Sequence, residues 1–397
     1  LITRFRTKRL YLVAIGCFVA GLLVCVAAPN FYILMGGRIL QACGNGILTS
    51  MAQVILLTIY PPEKRGTVMG WYGLSVGAAP VVAPTLAGIL VDAAGWRMIF
   101  YVSIAIMLVS FGFAVCVMDD VLETQKKRFD VVSFLLSAFA FGGITLGIGN
   151  IGTYSIGSIQ VLPALLTGIV GFVLFAWRQF HEEQPFLDLR ILREKEYTLS
   201  VIGSMLLYLV MMGSSIIMPL YVQTIMGYSA TISGLVTLPG SLVMAVVSPF
   251  AGKIYDSLGM KKLFVAGAGL MLLSNLGMFL LTTDMSVWLA SFYNAIRCAA
   301  IGCLMMPLVT WGISGIPEHK TADGTALLTS LRTIAGAIGS AVFVGIMTVV
   351  AENSAGTYGD RAQIHGLNMT FLAMSAATFV LLLIAVFLVK TDKKKTR

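Results

Sequence analysis

Apolar residues run through this chain in blocks of about twenty or more, each closed at both ends by charged or turn-forming residues, and there are about twelve such blocks. A bilayer core about 30 Å thick needs about 20 apolar residues per crossing helix, so each block predicts one transmembrane helix. The predicted spans are Leu10–Ala28, Ile33–Tyr60, Val68–Val91, Met98–Met118, Val131–Asn150, Val161–Phe180, Thr198–Met226, Ile232–Ala251, Leu263–Leu281, Val287–Ile316, Ala326–Val350 and Leu367–Val389.

Composition agrees with this reading. Hydrophobic residues make up 58% of the 397 and charged residues only 11%, with a mean hydropathy of +0.90, a balance that no soluble fold needs. Lys and Arg collect in cytoplasmic loops of membrane proteins, and here alternate loops differ sharply. One set holds Arg4, Arg6, Lys8 and Arg9; Lys64 and Arg65; Lys126, Lys127 and Arg128; Arg190, Arg193 and Lys195; Lys253, Lys261 and Lys262; Lys320; and the tail from Lys393 to Arg397. The opposite set holds little beyond Arg97 and Arg361. Both ends are therefore expected in the cytoplasm, as the even number of spans requires.

Topology thus accounts for the net charge of +9. The basic residues are scattered over separate loops without interleaved aromatics, so no nucleic-acid partner is expected. The six cysteines, Cys17, Cys25, Cys43, Cys116, Cys298 and Cys303, all fall inside apolar runs and read as free thiols used as small hydrophobes. No CxxC spacing occurs, and His181, His319 and His365 lie far apart, so no metal and no cofactor are expected. No signal peptide is visible, and Leu1 opens in the middle of a basic stretch, which reads as a truncated start.

The chain repeats itself internally. The segment Gly252-Lys-Ile-Tyr-Asp256-Ser-Leu-Gly259-Met-Lys261-Lys262-Leu263 aligns with the opening Leu1-Ile-Thr3-Arg4-Phe-Arg6-Thr-Lys8-Arg9-Leu10, each in a loop just before a helix. Arg38 in the second span and Arg297 in the tenth are each followed by small residues and then a Pro-Glu turn, Pro62-Glu63 and Pro317-Glu318. Transporters are commonly built from such related halves.

These residues resemble the major facilitator superfamily. Gly252, Asp256, Gly259 and Lys261 are similar to its loop signature, with Ser257 in place of an arginine; in the first copy Thr3 and Arg6 stand where the signature has Asp and Gly. Arg38-Ile-Leu-Gln41-Ala-Cys-Gly44-Asn45-Gly46 is similar to its fourth-helix motif. Gly73, Gly77, Pro80, Pro84 and Gly88 match its fifth-helix antiporter motif, with Ala83 and Ala87 replacing two glycines. Gly95-Trp96-Arg97 with Phe100, and Pro219-Leu-Tyr221-Val-Gln223, resemble the drug/proton antiporter branch with fourteen helices.

The resemblance implies an all-α polytopic membrane bundle of major facilitator fold, two pseudo-symmetric six-helix halves plus two extra central helices. The implied domains are an N-terminal bundle over 1–118 lacking the first two helices, the extra pair over 129–180, a cytoplasmic linker over 181–197 and a C-terminal bundle over 198–397. It further implies that Asp256 helps to hold one of two alternating conformations, and that Gly73, Gly77, Pro84 and Gly88 allow close packing and a bend where the halves rock.

The chemistry can also be read from the residues themselves. An Arg at the centre of a membrane helix costs about 2.5–3.5 kcal/mol on insertion scales, so Arg38 must be paired or face a water-filled cavity. Gln41 and Asn45 follow at i+3 and i+7, on the same helical face. The stripe reads either as cavity lining, with Arg38 setting the protonation of a partner carboxylate, or as an interhelical hydrogen-bond clamp. Asp92, Asp130, Asp256 and Asp284 all lie near helix ends, and the proton-carrying acid is expected on a helix before Leu1.

Tyr208, Met211, Met212, Ser214, Ser215, Met218, Tyr221 and Gln223 offer aromatic, sulfur and polar groups to a substrate cavity, or pack between helices; the cavity candidates are Tyr208, Met212, Ser215, Tyr221 and Gln223, with Arg297. Gly147-Ile-Gly149-Asn-Ile-Gly152 and Gly73-Leu-Ser75-Val-Gly77 imitate soluble-enzyme motifs, but neither has the strand–turn–helix setting these need. No P-loop argues for ATP.

The expectation is therefore a monomeric, multi-pass transporter of a bacterial plasma membrane, exchanging protons for lipophilic or cationic small molecules, with the lipid bilayer as its solvent and no enzymatic activity. An exporter dedicated to one metabolite, antibiotic or lipid, and a non-transporting receptor or channel-like protein, are the other readings.

Overall fold

The computed structural model describes residues 5–121, 130–151, 154, 157–182, 185, 187–283, 285–317 and 320–390, with the side chains of 62, 63, 66, 77–82, 84, 85, 322 and 360 outside that description. Thr3, Arg4, the Lys126–Arg128 cluster, His319 and the tail from Lys393 therefore lie outside the described residues.

Among the described residues there are twelve α-helices and no strand: α1 (Thr7–Ala27), α2 (Phe31–Ile59), α3 (Pro62–Ala94), α4 (Arg97–Val117), α5 (Val131–Ile151), α6 (Leu162–His181), α7 (Lys195–Leu220), α8 (Ala230–Leu258), α9 (Met260–Phe279), α10 (Val287–Ser314), α11 (Thr321–Tyr358) and α12 (Ala362–Leu383). Eleven spans, all but α3, are long and apolar enough to cross a membrane among the described residues. Inside a bilayer no water is present to satisfy backbone N–H and C=O groups, so helices of this length are the available solution for such a composition.

Local chemistry sets the ends. Asn30 caps α2 by accepting from the Ile33 amide at 3.0 Å, and Ser229 caps α8 by accepting from the Ile232 amide at 3.3 Å, each satisfying an orphan donor of a first turn. Gly95 (φ 81°) turns the chain between α3 and α4, and Gly259 (φ 77°) between α8 and α9, conformations in which a Cβ would clash. Pro219 lies inside α7, and the chain leaves that helix through a π-type turn over Tyr221–Ile225, where Met226 N donates to Tyr221 O at 3.0 Å. A proline removes one ladder bond and collides with the preceding turn, which favours such wider local winding. A second π-type turn, Ile384–Leu388, ends α12.

The packing forms two units, residues 1–62 with 85–129, and residues 63–84 with 130–397, so that α3 is shared at Pro84 and Thr85. In the first unit α1 pairs with α2 through small residues: a Cβ on Gly21 would lie 2.6 Å from Gly37 O, and one on Gly44 2.5 Å from Ala14 O. Such close backbone approach is how membrane helices gain packing energy when lipid is as apolar as the core. Arg97 caps this unit by donating through Nη2 to Ala28 O at 3.0 Å.

In the second unit α7 lies along α11, α8 along α10, and α9 against both α10 and α12. α10 is its centre, with 78% of its apolar window buried. The hairpin α5–α6 closes on Gly143, Gly168 and Gly171 and packs by α5 against α11. Its outer face, including Phe139, Leu146, Ile169, Val173 and Trp177, is apolar and exposed, the surface that hydrocarbon chains require.

Several helix boundaries differ from expectation, and three helices show the reason. α8 continues seven residues past Ala251 to Leu258, α11 runs from Thr321 to Tyr358 rather than Ala326 to Val350, and α7 starts at Lys195 rather than Thr198. In each case the added turns carry charges, which hydropathy excludes but helical hydrogen bonding outside hydrocarbon does not.

Candidate functional site

The first group of expected site residues sits on α1 and α2. Arg38 Nη1 donates to Gln41 Oε1 at 2.8 Å, Gln41 Nε2 donates to Cys25 Sγ at 3.3 Å, and the Cys25 thiol faces Leu34 O at 3.6 Å. Gln41 is buried, 4% exposed, because Gly21 and Gly37 bring the α1 and α2 backbones together around it. Arg38 and Asn45 are exposed, and Asn45 Oδ1 is 3.4 Å from the Thr49 hydroxyl. The expected stripe thus divides: Gln41 clamps α1 and orients Arg38, while Asn45 stands apart from both. Among the described residues, no carboxylate pairs with Arg38.

The second group, read from sequence as a loop, is instead a helix–helix corner. Gly252 and Asp256 lie on the last turns of α8, Gly259 is the junction, and Lys261 stands on the first turn of α9. The sequence reading placed a loop here because Lys253 and Asp256 interrupt the apolar run, yet the i→i−4 ladder carries on to the Gly259 amide, which donates to Tyr255 O at 3.0 Å. Asp256 accepts a hydrogen bond from the Thr67 hydroxyl near the start of α3. Farther along α3, a Cβ on Gly73 would lie 2.9 Å from Met306 Cγ, and Gly70 approaches the Pro249 backbone, so this stretch of α3 is held close to α8 and α10 within the second unit. Gly88 is buried; Gly77 and Pro84 fall on α3 at positions whose side chains lie outside the described residues.

The third group does not converge. Tyr208 and Met212 lie on the α7 face toward α11, where a Cβ on Gly336 would meet Met212 Cγ at 2.7 Å. Ser215 is exposed and donates to Met211 O at 2.8 Å. Tyr221 is wholly buried in the π-type turn, its hydroxyl without a partner, and Gln223 in the same turn is exposed. Tyr221 and Gln223 are two residues apart and so point to different sides of the winding, as i and i+2 do on any helix.

Arg297 on α10 is 2% exposed; its Nη2 donates to Asn294 Oδ1 at 2.5 Å, Nη1 has no partner, and its guanidinium lies 6.0 Å from the Phe371 ring centre. One buried cation escaped the sequence reading. Arg332 on α11 is 2% exposed, and its guanidinium lies 4.7 Å from the centre of the Tyr208 ring. The signal was present, because Arg332 is the one charge inside the predicted span Ala326–Val350. Asn275 on α9, fully buried with both amide atoms unpartnered, was missed as well.

Buried and membrane-level arginines held by amides, glycine-lined helix contacts and a charged helix corner define a multi-pass α-helical membrane protein of transporter type. The chain belongs to the Major Facilitator Superfamily, whose family model matches residues 1–340. It is 34% identical over 99% of its length to the uncharacterized MFS-type transporter YcnB of Bacillus subtilis, of which it spans 83%. It is 35% identical over 84% of its length to the lincomycin resistance protein LmrB of the same organism, spanning 69% of it, and 27% identical over 98% to the riboflavin transporter RibZ of Clostridioides difficile, spanning 84%. A solved POT family transporter shares the fold with a TM-score of 0.67 at 14% identity, over 98% of this chain and 84% of that one.

Proposed function

We propose that this protein is a proton-coupled efflux transporter of the fourteen-helix drug/proton antiporter branch, exporting lipophilic or cationic small molecules by alternating access across a bacterial plasma membrane. The observation that carries this reading is the Arg38–Gln41 pair at 2.8 Å: a guanidinium fixed by a buried amide on a membrane helix is an electrostatic device for biasing a nearby protonation equilibrium. The likeness to LmrB, and at 24% identity to the multidrug resistance protein Stp of Mycobacterium tuberculosis, supports export of foreign compounds. In this reading the halves 1–118 and 198–397 rock about the extra pair 129–180, the linker 181–197 and both ends face the cytoplasm, and the protein works as a monomer without enzymatic activity. One proton falling through 100 mV releases about 2.3 kcal/mol, enough to hold a neutral substrate at a gradient of about fiftyfold.

The test is efflux of a fluorescent lipophilic cation and of a neutral lipophilic dye from vesicles holding the complete protein, with and without a proton gradient, alongside Arg38→Ala. Gradient-driven efflux of either dye, lost in Arg38→Ala, is the expected result; folded, inserted protein that moves neither dye overturns the reading.

A second reading, an exporter dedicated to one metabolite on the same fold, is favoured by the likeness to RibZ over nearly the whole chain. Efflux confined to one compound in a panel distinguishes it.

A further inference from the structure

We propose that Arg332, stacked on Tyr208, is the anchoring point for an oxyanion, above all a carboxylate, carried by the exported compound. The proposal keeps the export step of the reading above, on which it rests for transport alone, and replaces the cationic compounds of that reading with anionic ones.

Arg332 Nε and Nη1 are buried and have no hydrogen-bond partner. The N–H groups of a guanidinium are donors only, so those buried here without a partner call for an acceptor. The Tyr208 ring, 4.7 Å from the guanidinium carbon, covers one face of the plane and supplies attraction but no acceptor lone pair in the plane. What such a plane binds best is a flat oxyanion, through parallel charge-assisted hydrogen bonds.

The surroundings favour the same class. Tyr197 donates to Gly324 O at 2.7 Å, and Met212 faces Gly336, so α7 and α11 run parallel in a fixed register. That register sets Ser204, one turn before Tyr208, at the level of Arg332, and Ser204 Oγ is also buried without a partner, a second donor at the same height. Tyr208 stands about halfway along α7, about 20 Å from its start at 1.5 Å per residue, and transporter substrates bind near the bilayer midplane. Among the described residues every acid on the twelve α-helices lies within two turns of a helix end: Glu63, Asp92, Glu196, Asp256, Asp323 and Glu352. Among its described residues the second unit therefore holds two deep cations, Arg297 and Arg332, and no deep anion to answer them, an interior that disfavours a cationic substrate and welcomes an anionic one. With 2% exposure, Arg332 is reached when the α7–α11 face opens, and Met212 against Gly336 is the adaptable side chain that re-packs around a guest.

The test uses the complete protein and three fluorescent probes of matched size: a carboxylate dye, its neutral methyl ester and a lipophilic cation. Binding to purified protein is measured by fluorescence anisotropy, and transport in proteoliposomes, for wild type, Arg332→Gln and Arg332→Lys. The expected result is that wild type prefers the carboxylate dye, that Arg332→Gln weakens its binding about tenfold or more while changing the ester and the cation less than about twofold, and that Arg332→Lys falls between. Carboxylate binding unchanged in a folded Arg332→Gln, or all three probes weakened alike, overturns the proposal. If Arg332→Gln does not fold, equal wild-type affinity for the dye and its ester overturns it, and a preference for the carboxylate lost in Arg332→Lys sustains it. Arg332-dependent binding without transport upholds the anchor and counts against the export reading alone.

Discussion

Arg178 Nε lies 3.0 Å from Asp130 Oδ2, joining the end of α6 to the residue that precedes α5. Ser133 donates to the same carboxylate through its amide at 3.1 Å and through its hydroxyl, and Gln179 Nε2 donates to that hydroxyl oxygen at 2.8 Å. Burial on its own raises the Asp130 pKa, but the hydrogen bonds from Arg178 and Ser133 outweigh it and hold the carboxyl at about 2.

That depressed value fixes a pH dependence. A carboxyl whose folded pKa lies below its unfolded value of 3.8 stabilises the fold fully above that value and ceases to do so as pH falls toward 2. The contribution is about 2 kcal/mol at neutral pH by this linkage. Asp130→Asn should therefore lower the thermal unfolding midpoint in detergent at pH 7, and the gap from wild type should close as the pH is lowered from about 4 toward 2. A gap that stays constant over that window contradicts the assignment.

Gly21 and Gly16 on α1 make a matched pair. A Cβ on Gly21 would stand 2.7 Å from the Gln41 amide nitrogen and 2.6 Å from Gly37 O, whereas one on Gly16 meets nothing within 4 Å. Gly21→Ala must push α2 away and with it the Gln41 that orients Arg38; overpacking of this kind costs about 1–3 kcal/mol. Gly16→Ala relieves a helix-interior glycine and should be neutral or stabilising by up to about 1 kcal/mol. Unfolding midpoints and efflux rates measured together should fall in Gly21→Ala and hold in Gly16→Ala.

Gly259 is the hinge of the α8–α9 corner at φ 77° and ψ 170°. An alanine there carries strain of about 1–3 kcal/mol, because no neighbouring turn can absorb the change without breaking the bond from the Gly259 amide to Tyr255 O. Gly259→Ala should lower stability by that amount, while Ser257→Ala, on an exposed side chain in the preceding helix, should shift it by less than about 0.5 kcal/mol. Equal midpoints for the two variants would show that the corner is not strained.

The helices themselves were legible because twenty-residue apolar blocks have few other meanings. Their depth of packing was not. Lipid and protein interior are alike apolar, so Tyr221, wholly buried, and Ser215, exposed, carry no distinguishing pattern in the sequence. The π-type turn after Pro219 was hidden for a related reason: a proline announces a disturbance but not how the chain winds around it. Charges misled where hydropathy stood in for hydrogen bonding, as at Asp256, which ends a helix rather than opening a loop. Arg332 was legible by the rule that drew attention to Arg38, and what the sequence withheld was its partner, since Tyr208 lies on a helix more than a hundred residues away in the chain.

The bond from the Thr67 hydroxyl to Asp256 brings this corner to a prediction about rate. Asp256 stands one turn before Gly259 and reaches the first turns of α3, whose Gly70 and Gly73 lie against Pro249 and Met306 farther along. If rocking of α3 against α8 accompanies transport, this hydrogen bond is made in one conformation and broken in another, and it weights the equilibrium between them. A hydrogen bond to a charged group contributes about 1.5–3 kcal/mol, so Thr67→Val, which keeps the shape and removes the donor, should change the efflux rate by about tenfold or more. Thr67→Ser keeps the hydroxyl and should restore most of the wild-type rate, and Asp256→Asn should resemble Thr67→Val, with little further loss when the two are combined. Additive losses in the double variant would mean that the two residues act separately, and that the corner is held by its helix geometry alone.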